Sequence, residues 1–264
     1  SSPMHQETWA VFPGEIDESP ALFRVDVGWL EEGPDTTRRW WLCVQQPFTS
    51  TNEDGLGTAQ ALDHAAAFDD RLVPLVEKAC SAIIVGTVTT DGTRTFCFYG
   101  KTKAGLEAAA AAAALGSKVE VQVEDDPQWE QFEETLAPDE SQFRYINDMT
   151  VIQQLVENGD TLTTPRDIEH LAVFPSAGAR DKFGDWCKKN GFKVANAYKV
   201  DDADRDSDDD GDDSDPLVFA LEFVHRAPAD IDAITPMTTK ATDAADDFGG
   251  CYDGWQSAIV KGRR

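Results

Sequence analysis

The chain has 264 residues, with 49 acidic against 23 basic side chains and a formal net charge of −26. Hydrophobic residues make up 41% of it, enough to bury a core in each of two domains, which excludes a wholly disordered chain. No apolar run reaches the ~18 residues of a membrane span, and the acidity disfavours direct binding to nucleic acid, which requires clusters of Lys and Arg.

The first half of the chain alternates strand and helix patterns. Its strongest local signal is Asp91-Gly92, a turn of the primed type between two apolar strands, which predicts a β-hairpin. The alanines Ala108–Ala114 extend a helix that Gly116 ends. The elements predicted in chain order are strands at 21–30 and 39–44, a helix at about 58–79, hairpin strands at 82–89 and 93–99, the alanine helix, a strand at 118–124 and a short helix from Asp126.

The second half has the same rhythm. Ser176 is the expected N-cap of one helix, and Thr235 with Pro236 is the expected start of another. The predicted elements are a helix at 142–158, a strand at 167–174, the helix after Ser176, strands at 192–200 and 217–225, the helix from Thr235 and a strand at 251–260. The order β-α-β-β-α-β occurs here and again between residues 39 and 124. We therefore expect an α+β protein of two ferredoxin-like sandwiches in tandem, with domains at 1–138 and 139–264.

An acidic run occupies residues 201–215, where ten Asp and one Arg give a net charge of −9. Such a run repels itself and lacks apolar residues, so we expect a solvated, disordered loop at the tip of the central hairpin. It contains spacings typical of a calcium loop, but the bidentate Glu at the twelfth position is missing. A solubilising loop is the simplest interpretation. A docking element for a basic protein, centred on Asp208, Asp209 and Asp210, is the functional alternative.

The second half resembles the regulator of ribonuclease E activity B family. The matching residues are Ile168-Glu169-His170, Gly191-Phe192 and Gly250-Cys251-Tyr252-Asp253-Gly254-Trp255. The resemblance covers about residues 140–260. It implies a ferredoxin-like fold and a non-catalytic role, in which the protein binds ribonuclease E and lowers its cleavage of RNA. The best-known members carry their acidic stretch in a C-terminal tail, whereas residues 260–264 are basic here, which leaves the identity of the partner open.

The first half resembles a separate bacterial domain family of unknown function that is often fused ahead of the regulator-like domain. Its marks are Trp9, Pro20-Ala21-Leu22, residues 85–92, Phe98-Tyr99 and residues 125–129. The resemblance implies a fold and no chemistry.

Two groups in the second half are candidate functional residues. His170 and His225 lie on strands that are neighbours in a ferredoxin-like sheet, so the imidazoles can approach each other, either as a hydrogen-bonded pair or as a metal or pH-sensing site. In Tyr252-Asp253-Gly254-Trp255, the glycine permits a bulge and one aromatic ring of the pair is expected to face outward as a partner contact.

Enzymatic and RNA-binding alternatives are less well supported. Cys97, Cys187 or Cys251 could be a nucleophile with a histidine base, but small apolar packing explains buried cysteines equally well, and no catalytic motif accompanies them. An RNA-binding sheet would use strand aromatics interleaved with Lys and Arg, which the sequence lacks. The strand aromatics available for stacking are Phe174, Tyr198, Phe219 and Phe223.

The sequence therefore predicts a protein that acts by binding another protein, with no catalytic residue, cofactor or metal. The resemblance implies ribonuclease E as the partner, and an unrelated basic protein docking on the acidic run is the alternative. The polar residues 1–6 lack the features of a signal peptide and the five cysteines lack paired spacing, so we expect a cytoplasmic protein of undetermined oligomeric state. The predicted partner-binding residues are His170, Tyr252, Asp253, Gly254, Trp255, Asp208, Asp209 and Asp210.

Overall fold

The computed structural model describes residues 4–48, 50, 55–200 and 216–262. It divides into two compact units, Ser1–Gln142 and Phe143–Arg264, each with its own antiparallel sheet. The acidic run 201–215, with Asp208, Asp209 and Asp210, lies outside the described residues.

The N-terminal unit is built on a sheet that has, among the described residues, six strands in the order β1-β2-β4-β5-β3-β6. Its elements are β1 (Trp9–Ile16), β2 (Ser19–Asp26), α1 (Gly28–Glu32), β3 (Trp40–Pro47), α2 (Ala59–Cys80), β4 (Ala82–Thr90), β5 (Thr93–Gly100), α3 (Leu106–Ala114), β6 (Glu120–Asp125) and a π-helical turn (Phe132–Leu136).

Helices α2 and α3 form the core of this unit against the sheet. The apolar residues of α2 recur every three or four positions, so Phe68, Leu72 and Val76 lie on one buried face. They pack with the alanine face of α3 and with apolar residues of β3 and β5. The side chain of Thr58 accepts a hydrogen bond from the Ala61 N–H and begins α2.

The hairpin between β4 and β5 confirms the turn prediction. Asp91 and Gly92 both have positive φ, 47° and 73°, the conformation that a primed two-residue turn requires. In the residues that precede this hairpin, the prediction differs from the structure in two ways. It missed β1, and it extended β2 to residue 30, whereas the strand ends at Asp26. Pro13 and Gly14 obscure the strand pattern of β1, which forms by pairing with β2 along its whole length.

The C-terminal unit has, among its described residues, a four-stranded sheet in the order β10-β7-β9-β8. Its elements are α4 (Glu140–Glu157), which begins just before the unit, β7 (Arg166–Phe174), α5 (Ala177–Lys189), β8 (Lys193–Lys199), β9 (Phe219–Ala227), α6 (Ile231–Asp247) and β10 (Cys251–Ser257).

The helices of the C-terminal unit all pack on the same face of its sheet. Ala172 and Phe174 of β7 contact the cluster that contains α5 and α6 residues, and Ile168 of the same strand contacts the cluster that contains α4. These residues alternate with Glu169 and Leu171, which point to the other face, as the period of a strand requires. Within this unit the described elements leave that other face uncovered.

The start of α6 differs from its prediction. The helix begins at Ile231, and its N-cap is Asp230, whose carboxylate accepts a hydrogen bond from the Ala233 N–H. Thr235 and Pro236 therefore lie inside the helix. Thr235 donates its hydroxyl to Asp148 instead of capping a helix end. The cap of α5 by Ser176 is confirmed, because the Ser176 side chain accepts from the Ala179 N–H.

Candidate functional site

A chain of hydrogen bonds joins three buried side chains on the helix-covered face of the C-terminal sheet. His170 Nε2 lies 2.8 Å from His225 Nδ1, and His170 Nδ1 lies 2.6 Å from the Tyr252 hydroxyl. The strand register brings them together, since β7 pairs with both β9 and β10. The predicted approach of the two histidines is confirmed.

Both imidazoles are held in the neutral form. Burial is the main cause, and with the nearby His225 and Arg144 it lowers the pKa of His170 to about 3. Burial and Lys240 lower the pKa of His225. Each neutral ring offers one donor and one acceptor, so the two hydrogen bonds form with the protons ordered in either direction along the chain. His225 Nε2, at the end of the chain, is buried and has no hydrogen-bond partner among the described residues. The three side chains link β7, β9 and β10 and so help to hold these strands in register.

A β-bulge follows Tyr252. Tyr252 lies opposite Ala172 and Gly254 opposite Leu171, so Asp253 is the extra residue of β10. Gly254 has φ 113°, a conformation that favours glycine. The bulge resets the alternation and turns both aromatic rings inward. The expectation that one ring faces outward was therefore wrong.

Asp148 of α4 anchors the second aromatic ring of this segment. Trp255 Nε1 donates to Asp148 Oδ1 at 3.0 Å, and the hydroxyls of Thr238 and Thr235 donate to Oδ2 at 2.7 and 3.0 Å. Arg144 pairs with the same carboxylate at 3.1 Å. The carboxylate is fully buried, and these four groups replace the water that it loses.

Asp148 was not among the residues predicted from the sequence to be functional. A signal was present, because Asp148 occupies the same helical stripe as the buried Ile152 and Leu155 of α4. A charged residue in an apolar stripe implies a buried partner.

A recess of about 290 Å³ lies over the uncovered face of the sheet. The side chains of Leu171 and Val224 point outward into it, while the rings of His170, Phe223 and Trp255 belong to the other face. Three carboxylates line it, and none of its lining residues is Lys or Arg. The carboxylates are those of Glu169, Glu222 and Asp253.

The predicted partner-binding residues that the structure describes differ in their exposure to solvent. His170, Tyr252 and Trp255 are 2%, 8% and 7% exposed, so their rings are inside the unit. Asp253 is exposed and Gly254 is half-buried, both at the recess.

The aromatic residues considered for RNA stacking do not form one platform. Phe174 and Phe223 are fully buried and Phe219 packs against the same core. Tyr198 is 36% exposed. The structure thus gives the described residues no row of exposed strand aromatics on which bases could stack.

The candidate nucleophiles have protonated thiols. The neighbouring Cys43, followed by burial, raises the pKa of Cys97, and burial raises the pKa of Cys187 to about 12. Cys251 is exposed, and burial of its sulfur together with Asp253 and Asp246 raises its pKa. Both nitrogens of His170 are engaged with Tyr252 and His225. Over the described residues, no three His, Cys, Asp or Glu side chains are grouped as metal ligands.

Each unit is of the α+β class, an antiparallel sheet with helices. Each of the two units matches a known protein family. Residues 145–257 match the family Regulator of ribonuclease activity B, and residues 7–137 match a Family of unknown function (DUF695). Both resemblances seen in the sequence are confirmed.

Comparisons with individual proteins add little. No curated protein matches the chain. The crystal structure of an unknown protein from Galdieria sulphuraria aligns with 84% of this chain and 99% of its own, at 10% identity and a TM-score of 0.21. A score this low carries no argument about the fold. In the part of the chain that the structure describes, each helix is too short or too polar to cross a membrane.

Proposed function

We propose that the protein regulates RNA degradation by binding a ribonuclease of the E type and lowering its cleavage of RNA. The match of residues 145–257 to the Regulator of ribonuclease activity B family carries this proposal. The binding unit is the C-terminal one, in a two-domain chain divided at 1–138 and 139–264.

The strand orders support a ferredoxin-like arrangement in both domains. The order β10-β7-β9-β8 has the first and third strands of the β-α-β-β-α-β unit side by side, and β6-β3-β5-β4 repeats that order in the N-terminal sheet. There, the hairpin of β1 and β2 extends the sheet beyond β4.

The chemistry of the buried groups supports action by contact. The imidazoles of His170 and His225 are neutral and bonded to each other, and the buried thiols have raised pKa values. These groups are suited to holding a structure, which supports a non-catalytic protein. All five cysteines are free thiols, which supports a cytoplasmic location.

Contacts with the partner are proposed at two places. Asp253 and Gly254 contact it at the uncovered sheet face, while His170, Tyr252 and Trp255 hold the bulge beneath. Asp208, Asp209 and Asp210 belong to the run with net charge −9, which attracts a basic segment over longer distances.

A binding experiment tests the proposal. Immobilised full-length protein is incubated with purified ribonuclease E of the organism that encodes it, beside a variant that lacks residues 201–215. Retention of the ribonuclease by the full chain is expected, with weaker retention by the deletion variant. Absence of retention by both proteins would contradict the proposal. Lysate proteins retained by the run alone would then favour the unrelated basic partner.

A further inference from the structure

The uncovered face of the C-terminal sheet has a recess between its outward side chains. Across its strands, one row of outward positions contains Gly254, Leu171, Glu222 and Asn196. Gly254 has no side chain, and the structure has open space where its Cβ would be. The recess of about 290 Å³ runs across the row, from Gly254 on β10 to Ala195, another small residue, on the edge strand β8.

The recess combines an apolar floor with carboxylate walls. Leu171 and Val224 line its floor, and Glu169, Glu222 and Asp253 surround them. The Glu169 carboxylate accepts a hydrogen bond from Gln256 Nε2 at 3.2 Å, which orients it. On the same face, burial, Glu222 (whose carboxylate accepts a hydrogen bond from the Tyr198 hydroxyl) and Asp253 raise the pKa of Tyr198.

We propose that this recess receives an arginine side chain of the protein partner. An arginine has an aliphatic stem that packs on apolar surface and a planar guanidinium that binds carboxylates through several N–H donors. The floor matches the stem and the carboxylates match the head. The inference rests on the proposed function, because it takes the partner to be a protein, and it specifies the chemistry by which that protein is held.

Other occupants fit the charges less well. Three carboxylates with no lining Lys or Arg repel a phosphate or a carboxylate. Two basic residues of the same face are not lining residues: Arg226 pairs with Asp167, and Lys193 lies opposite Val224 on the edge strand, beside the recess. An apolar side chain would desolvate the carboxylates without offering them a donor. Arginine is preferred to lysine because its weakly hydrated head loses less on leaving water.

Peptide titration of the isotope-labelled full chain tests the inference. The probe is a capped pentapeptide with one central arginine among glycines and serines, and the matched peptide has citrulline, which keeps the shape without the charge. We expect millimolar binding of the arginine peptide, seen as amide shift changes at residues 169–171, 222–224 and 253–256. The citrulline peptide should shift these amides much less.

Matched variants locate the effect. Glu222→Gln removes one carboxylate from the recess and should weaken binding of the arginine peptide about three- to fivefold, the range of a partly exposed charge pair. Glu157→Gln makes the same charge change at an exposed position of α4 and should leave binding unchanged. Melting curves of both variants establish that they are folded.

The outcomes separate this inference from the proposed function. Three results would overturn the proposal that the recess binds arginine, even if the protein binds the ribonuclease. They are equal amide shifts with the citrulline peptide, no shifts with either peptide, and equal weakening of binding by both variants. A ribonuclease that is not retained would overturn the proposed function, while arginine-specific shifts lost in Glu222→Gln would still support the recess. A lysine peptide that binds as tightly as the arginine peptide would contradict the choice of arginine.

Discussion

Some side chains of the C-terminal unit have structural roles although residues of their type are often catalytic. His170, a residue often used in catalysis, has both ring nitrogens in hydrogen bonds to His225 and Tyr252. His5 in the N-terminal unit has the opposite environment, since its ring lies within 2.7 Å of both Asp26 and Glu32. Burial alone would lower its pKa, but hydrogen bonds to Asp26 and Glu32 raise it.

These environments predict opposite titrations for the two histidines. In an NMR titration of the histidine ring protons, His170 should stay neutral to about pH 3, far below the ordinary 6.5, and His5 should titrate above 6.5. A His170 ring that titrates near its ordinary value would show that the pair is open to water.

The lowered pKa of His170 also predicts acid sensitivity. Below about pH 6.5 the unfolded chain binds a proton at His170 that the folded chain does not bind, so stability is full above this pH and falls toward pH 3. At about pH 5 the loss from His170 alone is about 2 kcal/mol. Urea unfolding of the wild type and His170→Phe at several pH values should show a smaller pH slope in the variant. Equal slopes would contradict the assignment.

Asp148 predicts a large loss of stability on truncation. Asp148→Ala removes the acceptor for Trp255, Thr238 and Thr235 and leaves the partly buried Arg144 without its carboxylate. A loss of about 3–5 kcal/mol is expected, as for breaking a buried charge pair. Urea unfolding monitored by tryptophan fluorescence measures it. Asp185→Ala, at an exposed position of α5, should change stability by less than about 0.5 kcal/mol. Similar losses in the two variants would refute the anchoring role.

At the level of secondary-structure elements, the bulge in β10 determines the direction in which the rings of Tyr252 and Trp255 point. Strand alternation predicts opposite directions for neighbouring positions, and one extra residue at Asp253 brings Tyr252 and Trp255 to the same face. Gly254 makes this possible through its positive φ.

Gly254→Ala tests the bulge. No atom lies within 4 Å of the added Cβ, so the cost is conformational and should be about 1–3 kcal/mol. Gly178→Ala is the matched control, because Gly178 lies in α5, where alanine is the better helix former and should stabilise by a few tenths to about 1 kcal/mol. Thermal melting compares the two. An unchanged Gly254→Ala melting temperature would mean that the bulge tolerates a side chain.

Some secondary-structure elements could be predicted from the sequence and others could not. Patterns with strong local causes were predictable, such as the Asp91-Gly92 turn and the Ser176 cap. The start of α6 was not, because Asp230 and Thr235 are both good caps and only the contact of Thr235 with Asp148 distinguishes them. Strand β1 has a weak local pattern and depends on pairing with β2. The pairing of His170 with His225 was predictable only as a possibility, because the strand register that brings them together is set by long-range contacts.

For the whole molecule, the charge of −26 has distinct parts. The run 201–215 holds −9 of it, and three more carboxylates surround the recess over Leu171. The recess was beyond sequence reasoning, because Glu169, Glu222 and Asp253 come from three strands and only the sheet brings them together. We propose that the run attracts a basic partner and that the recess holds it.

The most direct test of this account is the rate at which purified ribonuclease E cleaves a labelled RNA in the presence of excess full-length protein. We expect the rate to fall severalfold, the protein alone to leave the RNA intact, and Glu222→Gln to inhibit more weakly than Glu157→Gln. An unchanged rate at saturating protein, or cleavage of RNA by the protein itself, would contradict it.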